Sequence, residues 1–138
     1  MKQISSLELN FLLKELKDLE SSRVDRLYNS GKEEIYIQLH KSNIGKKIMR
    51  VLIGKAIFAT EAKNIDETPS GFCMLLRKHL EGKFLESIKQ LEPERILEIV
   101  FKSKDETRIL YIEFFGKGNI VLCDENNKII DALIRHKF

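Results

Sequence analysis

The spacing of apolar residues changes three times along this 138-residue chain, and each change marks a new kind of element. Leu9, Leu12, Leu13, Leu16 and Leu19 recur at the three- and four-residue intervals of an α-helix, with Lys14, Lys17 and Glu20 off the stripe. Ser5-Ser6-Leu7-Glu8 just ahead has the spacing of a capping box, in which side chain and backbone of residues three apart satisfy each other. A helix of roughly four turns is expected there, packed on a sheet. From Arg23 the period drops to two. Val24 to Asn29, Glu34 to His40, Met49 to Ile53 and Ala56 to Phe58 read as strands, separated by turn signals at Ser30-Gly31, Asn43-Ile44-Gly45 and Gly54. Short turns between alternating runs predict an antiparallel meander.

Residues 60–67 are polar and aperiodic, hence a loop. The helical period then returns in Phe72, Leu75, Leu76, His79 and Leu80, with Thr68 the expected N-cap, Pro69 the first helical residue and Gly82 the stop. A strand follows over Phe84–Gln90. Arg95–Lys102 and Arg108–Phe115 pair through a turn at Lys104-Asp105-Glu106, and their nearly unbroken apolar runs predict strands covered on both faces. Gly116-Lys117-Gly118-Asn119 is a tight turn. Ile120–Cys123 and Lys128–Leu133 complete about eight or nine strands with two helices. The fold class is α+β, a mostly antiparallel β-sandwich flanked by two main helices, in a single domain over residues 1–138.

Composition narrows the partners without choosing among them. The 24 basic and 21 acidic side chains leave a net charge of +3, which permits a nucleic-acid partner but does not demand one. Cys73 and Cys123 sit among apolar neighbours and read as buried free thiols of a reducing compartment. No apolar run approaches the ~18–20 residues that span a bilayer, and the opening Met1-Lys2-Gln3 leads into an amphipathic helix rather than a signal peptide. A cytoplasmic protein with no membrane partner is expected.

Catalytic templates are missing. The chain has no nucleophile elbow, phosphate loop or dinucleotide fingerprint, and His40, His79 and His136 have no partner at metal-ligand spacing. His79, on an apolar helix face, reads as a satisfied, partly buried side chain. The expectation is a non-enzyme without cofactor or metal. Three features remain, each with a plainer reading beside the functional one. Glu94-Arg95 directly follows Pro93, whose fixed φ would present an acid and a guanidinium at a defined place; a solvated turn explains it equally. Arg77, Lys78, Lys83 and Lys89 form a cationic run, or simply a wetted face. Gly116-Lys117-Gly118-Asn119 would let a phosphate approach the backbone, or is only a hairpin turn.

Those features, with Leu7-Glu8, are where the chain resembles a known family. Ser22-Arg23-Val24-Asp25-Arg26-Leu27-Tyr28-Asn29, Pro69, the run Phe72-Cys73-Met74-Leu75-Leu76-Arg77-Lys78-His79-Leu80-Glu81-Gly82, Glu94-Arg95-Ile96 and Phe115-Gly116-Lys117-Gly118-Asn119-Ile120-Val121-Leu122 match in family order. They resemble the N-terminal domain of the NFACT proteins, the NEMF and RqcH factors of ribosome-associated quality control, whose older label is fibronectin-binding protein A. The resemblance implies a fold related to the N-terminal domain of formamidopyrimidine-DNA glycosylases. It also implies binding of tRNA and of the large ribosomal subunit carrying a stalled nascent chain, in support of untemplated C-terminal alanine tailing.

The family's helix-one aspartate and Asp-Arg pair correspond here to Glu8 and to Glu94-Arg95, with both acids one methylene longer. On this reading Arg95 makes a forked contact to a phosphate or base edge and Glu94 orients it. Arg77, Lys78, Lys83, Lys117 and Asn119 complete the nucleic-acid-binding set, the cations giving salt-sensitive contacts. Glycosylase chemistry is not expected, because the chain begins Met1-Lys2-Gln3 where those enzymes carry a proline amine followed by a glutamate. NFACT proteins continue into helix-hairpin-helix, coiled-coil and RNA-binding modules, so the chain is a fragment, split part or shortened relative, and those modules are further expected partners. Two alternatives stay open: a protein-interaction domain without RNA contact, and a glycosylase-like enzyme.

Overall fold

A computed structural model describes residues 5–61, 68–91 and 94–134, and among them two helices, a short 3-10 helix and nine strands follow one another. Helix α1 (Ser6–Leu16) starts at the predicted capping box: the Glu8 amide donates to Ser5 Oγ at 3.1 Å, and the Ser5 amide to Glu8 Oε1 at 3.4 Å. The 3-10 helix Lys17–Leu19 prolongs it, and Leu9, Leu13, Leu16 and Leu19 are buried as one stripe against the strands Ala56–Thr60 and Phe84–Leu91. The strands are β1 (Arg23–Ser30), β2 (Glu34–Lys41), β3 (Gly45–Leu52), β4 (Ala56–Thr60), β5 (Phe84–Leu91), β6 (Ile96–Lys102), β7 (Thr107–Glu113), β8 (Asn119–Asp124) and β9 (Ile129–Ala132), with helix α2 (Gly71–Leu80) between β4 and β5.

Two sequence expectations need correction. Helix α2 begins two residues later than Pro69, because Ser70 is its N-cap: Ser70 Oγ accepts from the Cys73 amide at 3.1 Å. A tertiary contact fixes that choice, since the Ser70 amide donates to Asn29 Oδ1 at 2.9 Å. The stop at Gly82 holds, with φ +86 at that residue. Strands β6 and β7 are not equally covered on both faces. Leu97, Ile99, Phe101, Leu110 and Ile112 are fully buried, while Glu98, Val100, Ile109 and Tyr111 between them are half-exposed. The turn placed after Pro93 includes residues 92–93, which lie outside the described residues.

All nine strands belong to one antiparallel sheet in the order β4-β3-β2-β1-β5-β6-β7-β8-β9. Strand β1 meets β5 at one register pair, Arg23 and Phe84, and in the bonds beside it, among them Val24 N to Lys83 O at 2.8 Å and Leu85 N to Ser22 O at 2.8 Å. Flat, the sheet would hold β3 and β8 about 29 Å apart, six steps of about 4.8 Å. Yet the turn after β3 touches the turn before β8, for a Cβ built on Gly54 would lie 2.7 Å from the Lys117 carbonyl oxygen. The sheet therefore curls over its own core, and the two-layer arrangement arises from one folded sheet. Cys73 and Cys123 are buried free thiols, and burial pushes both thiol pKa values up.

Candidate nucleic-acid interface

Strand direction puts the turns β1–β2 and β3–β4 at one end of the sheet and β5–β6 and β7–β8 at the other, because β1 and β5 pair antiparallel through their first residues. Folding of the sheet sets the β3–β4 turn against the β7–β8 turn and so brings the two ends together. Residue pairs Ser30–Glu34, Leu52–Ala56, Leu91–Ile96 and Glu113–Asn119 close these hairpins. The β5–β6 turn carries exposed Glu94 and half-exposed Arg95. Its backbone is held on both sides: Gln90 Nε2 donates to the Glu94 carbonyl at 3.4 Å and the Phe114 amide to the Arg95 carbonyl at 2.8 Å. Two residues beyond Phe114 the β7–β8 turn begins, so Arg95 and exposed Lys117 share this end of the molecule.

The end set against it carries residues that the sequence reading passed over. Lys32 in the β1–β2 turn is exposed and Lys55 in the β3–β4 turn half-exposed, and no ion pair engages Lys32, Lys55 or Lys117 among the described residues. Each follows a glycine of positive φ (Gly31, Gly54, Gly116), but so do Lys46 after Gly45 and Lys83 after Gly82, so the Gly-Lys pattern in the sequence does not single out this end. Beside them Arg50 reaches from β3 to the Glu34 carboxylate. Its guanidinium lies 5.7 Å from the ring centre of Tyr36 and 5.6 Å from that of Phe58. Partial burial pushes the Glu34 carboxyl up, but the Tyr36 hydroxyl at 2.6 Å and Arg50 outweigh it, leaving the group below its usual 4.5. Both members of the pair therefore stay ionised at neutral pH.

The remaining predicted residues are dispersed or committed. Ser70 at the start of α2 bonds Asn29 near the end of β1, whereas Gly82 beyond its other end donates to the Val24 carbonyl at 2.9 Å. Helix α2 thus runs antiparallel to β1, and exposed Lys78 sits toward the opposite end, about 25 Å from the Arg95 turn by strand length. Arg77 is partly spent on structure: its Nε donates to the Leu27 carbonyl at 2.7 Å and its guanidinium lies 5.4 Å from the Tyr28 ring centre. Glu8 is exposed at the start of α1 but occupied as a capping residue.

Two members do not fit a contact surface. Lys83 is only 7% exposed and ion-paired to Glu106 at 2.7 Å, in a cluster where Glu106 also meets Arg108 at 3.3 Å. Asn119 is 4% exposed, and its side-chain amide ties Ile134, just past β9, to the start of β8. Oδ1 accepts from the Ile120 and Ile134 amides at 2.9 and 2.8 Å, and Nδ2 donates to the Ile134 carbonyl at 3.1 Å. Both are structural here. His79 is satisfied as expected, its Nδ1 accepting from Arg108 Nε at 3.2 Å.

Comparison with known proteins matches the model of the NFACT N-terminal and middle domains over residues 5–138. Ribosome quality control complex subunit 2 of Saccharomyces cerevisiae is 40% identical over 135 residues, covering 94% of this chain and 13% of that protein. Human ribosome quality control complex subunit NEMF is 35% identical over 135 residues, covering 95% and 12%. The RqcH homologue of Streptococcus suis is 29% identical over 138 residues, covering 93% and 25%. Among solved structures, the N-terminal domain of the fibronectin-binding protein PavA from Streptococcus pneumoniae superposes with a TM-score of 0.87 at 28% identity, covering 99% of this chain and 58% of that one. The chain spans a quarter or less of the curated relatives' length.

Proposed function

The chain belongs to the NFACT family, and on that premise we propose that it is a cytoplasmic RNA-binding module of a ribosome quality-control factor. It binds tRNA and the large ribosomal subunit carrying a stalled nascent chain, and so supports untemplated alanine tailing. The observation that carries this reading is the gathering of Arg95, Lys117, Lys32 and Lys55 where the folded sheet brings its two ends together. Lys32, Lys55 and Lys117, which no ion pair engages among the described residues, suit phosphates, and a guanidinium on a braced turn adds forked geometry that an ammonium lacks. Glu94 accepts from a ribose hydroxyl or base amine beside it. Lys78 serves only an RNA long enough to reach the other end.

The module acts by binding rather than catalysis, and its kinship with the glycosylase N-terminal domain is one of fold alone. Other modules of an NFACT protein raise its effective concentration on the ribosome, so the separate chain binds weakly. The test is tRNA binding by fluorescence anisotropy across a salt series. Arg95→Ala is expected to weaken binding about 10- to 100-fold, and Arg95→Lys to restore only part of it. Unchanged affinity in a folded Arg95→Ala protein would remove that residue from the interface.

One observation favours a second reading, a protein-interaction domain. Leu7 and Phe11, four residues apart on α1, are 77% and 70% exposed. Ribosome sedimentation that survives RNase treatment, and is lost in Leu7→Ala/Phe11→Ala, would establish it in place of direct RNA contact.

A further inference from the structure

Between the turns that carry Lys32, Lys55 and Lys117 lies a cavity of about 830 Å³. Ile35, Ile53, Phe72 and Leu133 give it apolar walls, while Ser70, Glu33 and the Glu34–Arg50 pair supply the polar atoms. Its size falls within the ~300–1,000 Å³ range of small-ligand sites. The two properties constrain the occupant together. An uncharged apolar segment would fill the walls but cover three ammonium groups that no ion pair engages among the described residues, at a desolvation cost it could not offset. A free inorganic anion would satisfy the lysines and leave the apolar walls wet. A flat aromatic group joined to a phosphate suits both.

We propose that this cavity is a nucleotide site, with the base against Ile53, Phe72 and Leu133 and the phosphate on Lys32, Lys55 and Lys117. Exposed Glu33, which lines the cavity, would accept from a ribose hydroxyl. Arg50, pinned between two rings and a carboxylate, offers a planar cationic edge without having to reorganise. The Arg95 turn adjoins the Gly116-Lys117 turn that lines the cavity. A single strand held at Arg95 can therefore place an unstacked neighbouring base inside. That form of the proposal rests on the RNA-binding reading; a free mononucleotide would use the same chemistry without it.

The test is fluorescence titration with two probes, 2-aminopurine riboside monophosphate and a short single-stranded RNA carrying one 2-aminopurine. Two variants separate the parts of the site. Ile53→Trp fills the cavity and leaves the lysines, and because the chain has no tryptophan the indole's emission reports whether it is buried. Lys32→Ala/Lys55→Ala/Lys117→Ala keeps the cavity and removes the cations. Thermal melts check that both variants fold.

The proposal expects a change in probe emission on binding and at least about a tenfold loss in Ile53→Trp. The salt slope should fall by about 0.7 per lost phosphate contact in the triple variant. RNA binding with silent 2-aminopurine and no effect of Ile53→Trp overturns the pocket while leaving the RNA-binding reading intact. Mononucleotide binding without RNA binding supports the pocket and defeats that reading. Tight uptake of neutral N-phenylnaphthylamine with no nucleotide binding would reassign the cavity to an apolar segment and overturn the proposal.

Discussion

Substituting Gly118 by alanine tests the contact on which the curled sheet and its cationic end both depend. Gly118 has φ +80, where an L-residue with a Cβ is strained by about 1–2 kcal/mol. A Cβ there would also sit inside contact distance of the backbone nitrogen and Cα of Gly54, which are not flexible side-chain ends and cannot step aside. Strain plus separation of the two turns should cost about 3–5 kcal/mol, a large share of the ~5–15 kcal/mol that holds a domain folded. The assay is urea unfolding followed by circular dichroism, with Gly116→Ala as control. Gly116 also has positive φ, but nothing lies within 4 Å of its built Cβ, so strain alone, about 1–2 kcal/mol, should appear.

Gly54→Ala meets the same surface from the other side, 2.7 Å from the Lys117 carbonyl oxygen. The double variant should therefore cost well short of the sum of the singles, since both force open one gap. Equal losses for Gly118→Ala and Gly116→Ala, or strict additivity, would refute the contact. In the surviving folded fraction the nucleotide probe should bind more weakly, because Lys55 and Lys117 separate with their turns.

Lys83→Met should destabilise the fold by at most about 1 kcal/mol, because Glu106 is 41% exposed and keeps Arg108, with tRNA affinity and salt slope unchanged; Lys78→Ala should leave stability unchanged and weaken tRNA binding, which parallel melts and anisotropy titrations will show. His79 is buried enough, and close enough to Arg108, Lys78 and Lys83, that its pKa lies below the usual 6.5, with only Glu106 opposing. The unfolded chain then takes up that proton first, so stability is full above pH 6.5 and declines as pH falls below it. His79→Asn, which keeps an acceptor for Arg108, should flatten urea midpoints between pH 6.5 and 5. Glu34 and Glu106, both held below 4.5, lose their contribution only at lower pH as they protonate.

What could be read from sequence was what neighbours in sequence decide. The capping box at Ser5 and Glu8, the stop at Gly82 and the period-two strands follow from local geometry, and all stand in the structure. The start of α2 was misplaced because Thr68 and Ser70 are both capable caps, and the choice rests on Asn29, forty-one residues away. Lys83 and Asn119 look like surface residues until Glu106 and Ile134 are brought to them. Lys32, Arg50 and Lys55 escaped notice for the converse reason. Each is ordinary in its own hairpin, and only the curl of the sheet sets them beside Lys117.

Strand order also bears on how this chain can be made. Apart from the short β1–β5 seam, every ladder joins strands that are consecutive in the chain. The first four strands are thus a complete hairpin series by Thr60, able to form on emerging from a ribosome before the remaining five are synthesised. Ladders of this kind close short loops and form early. The late event is the meeting of the Gly54 and Gly118 turns, which needs both halves. The cationic end is therefore assembled last, and a nascent chain acquires its binding face only once the sheet has closed.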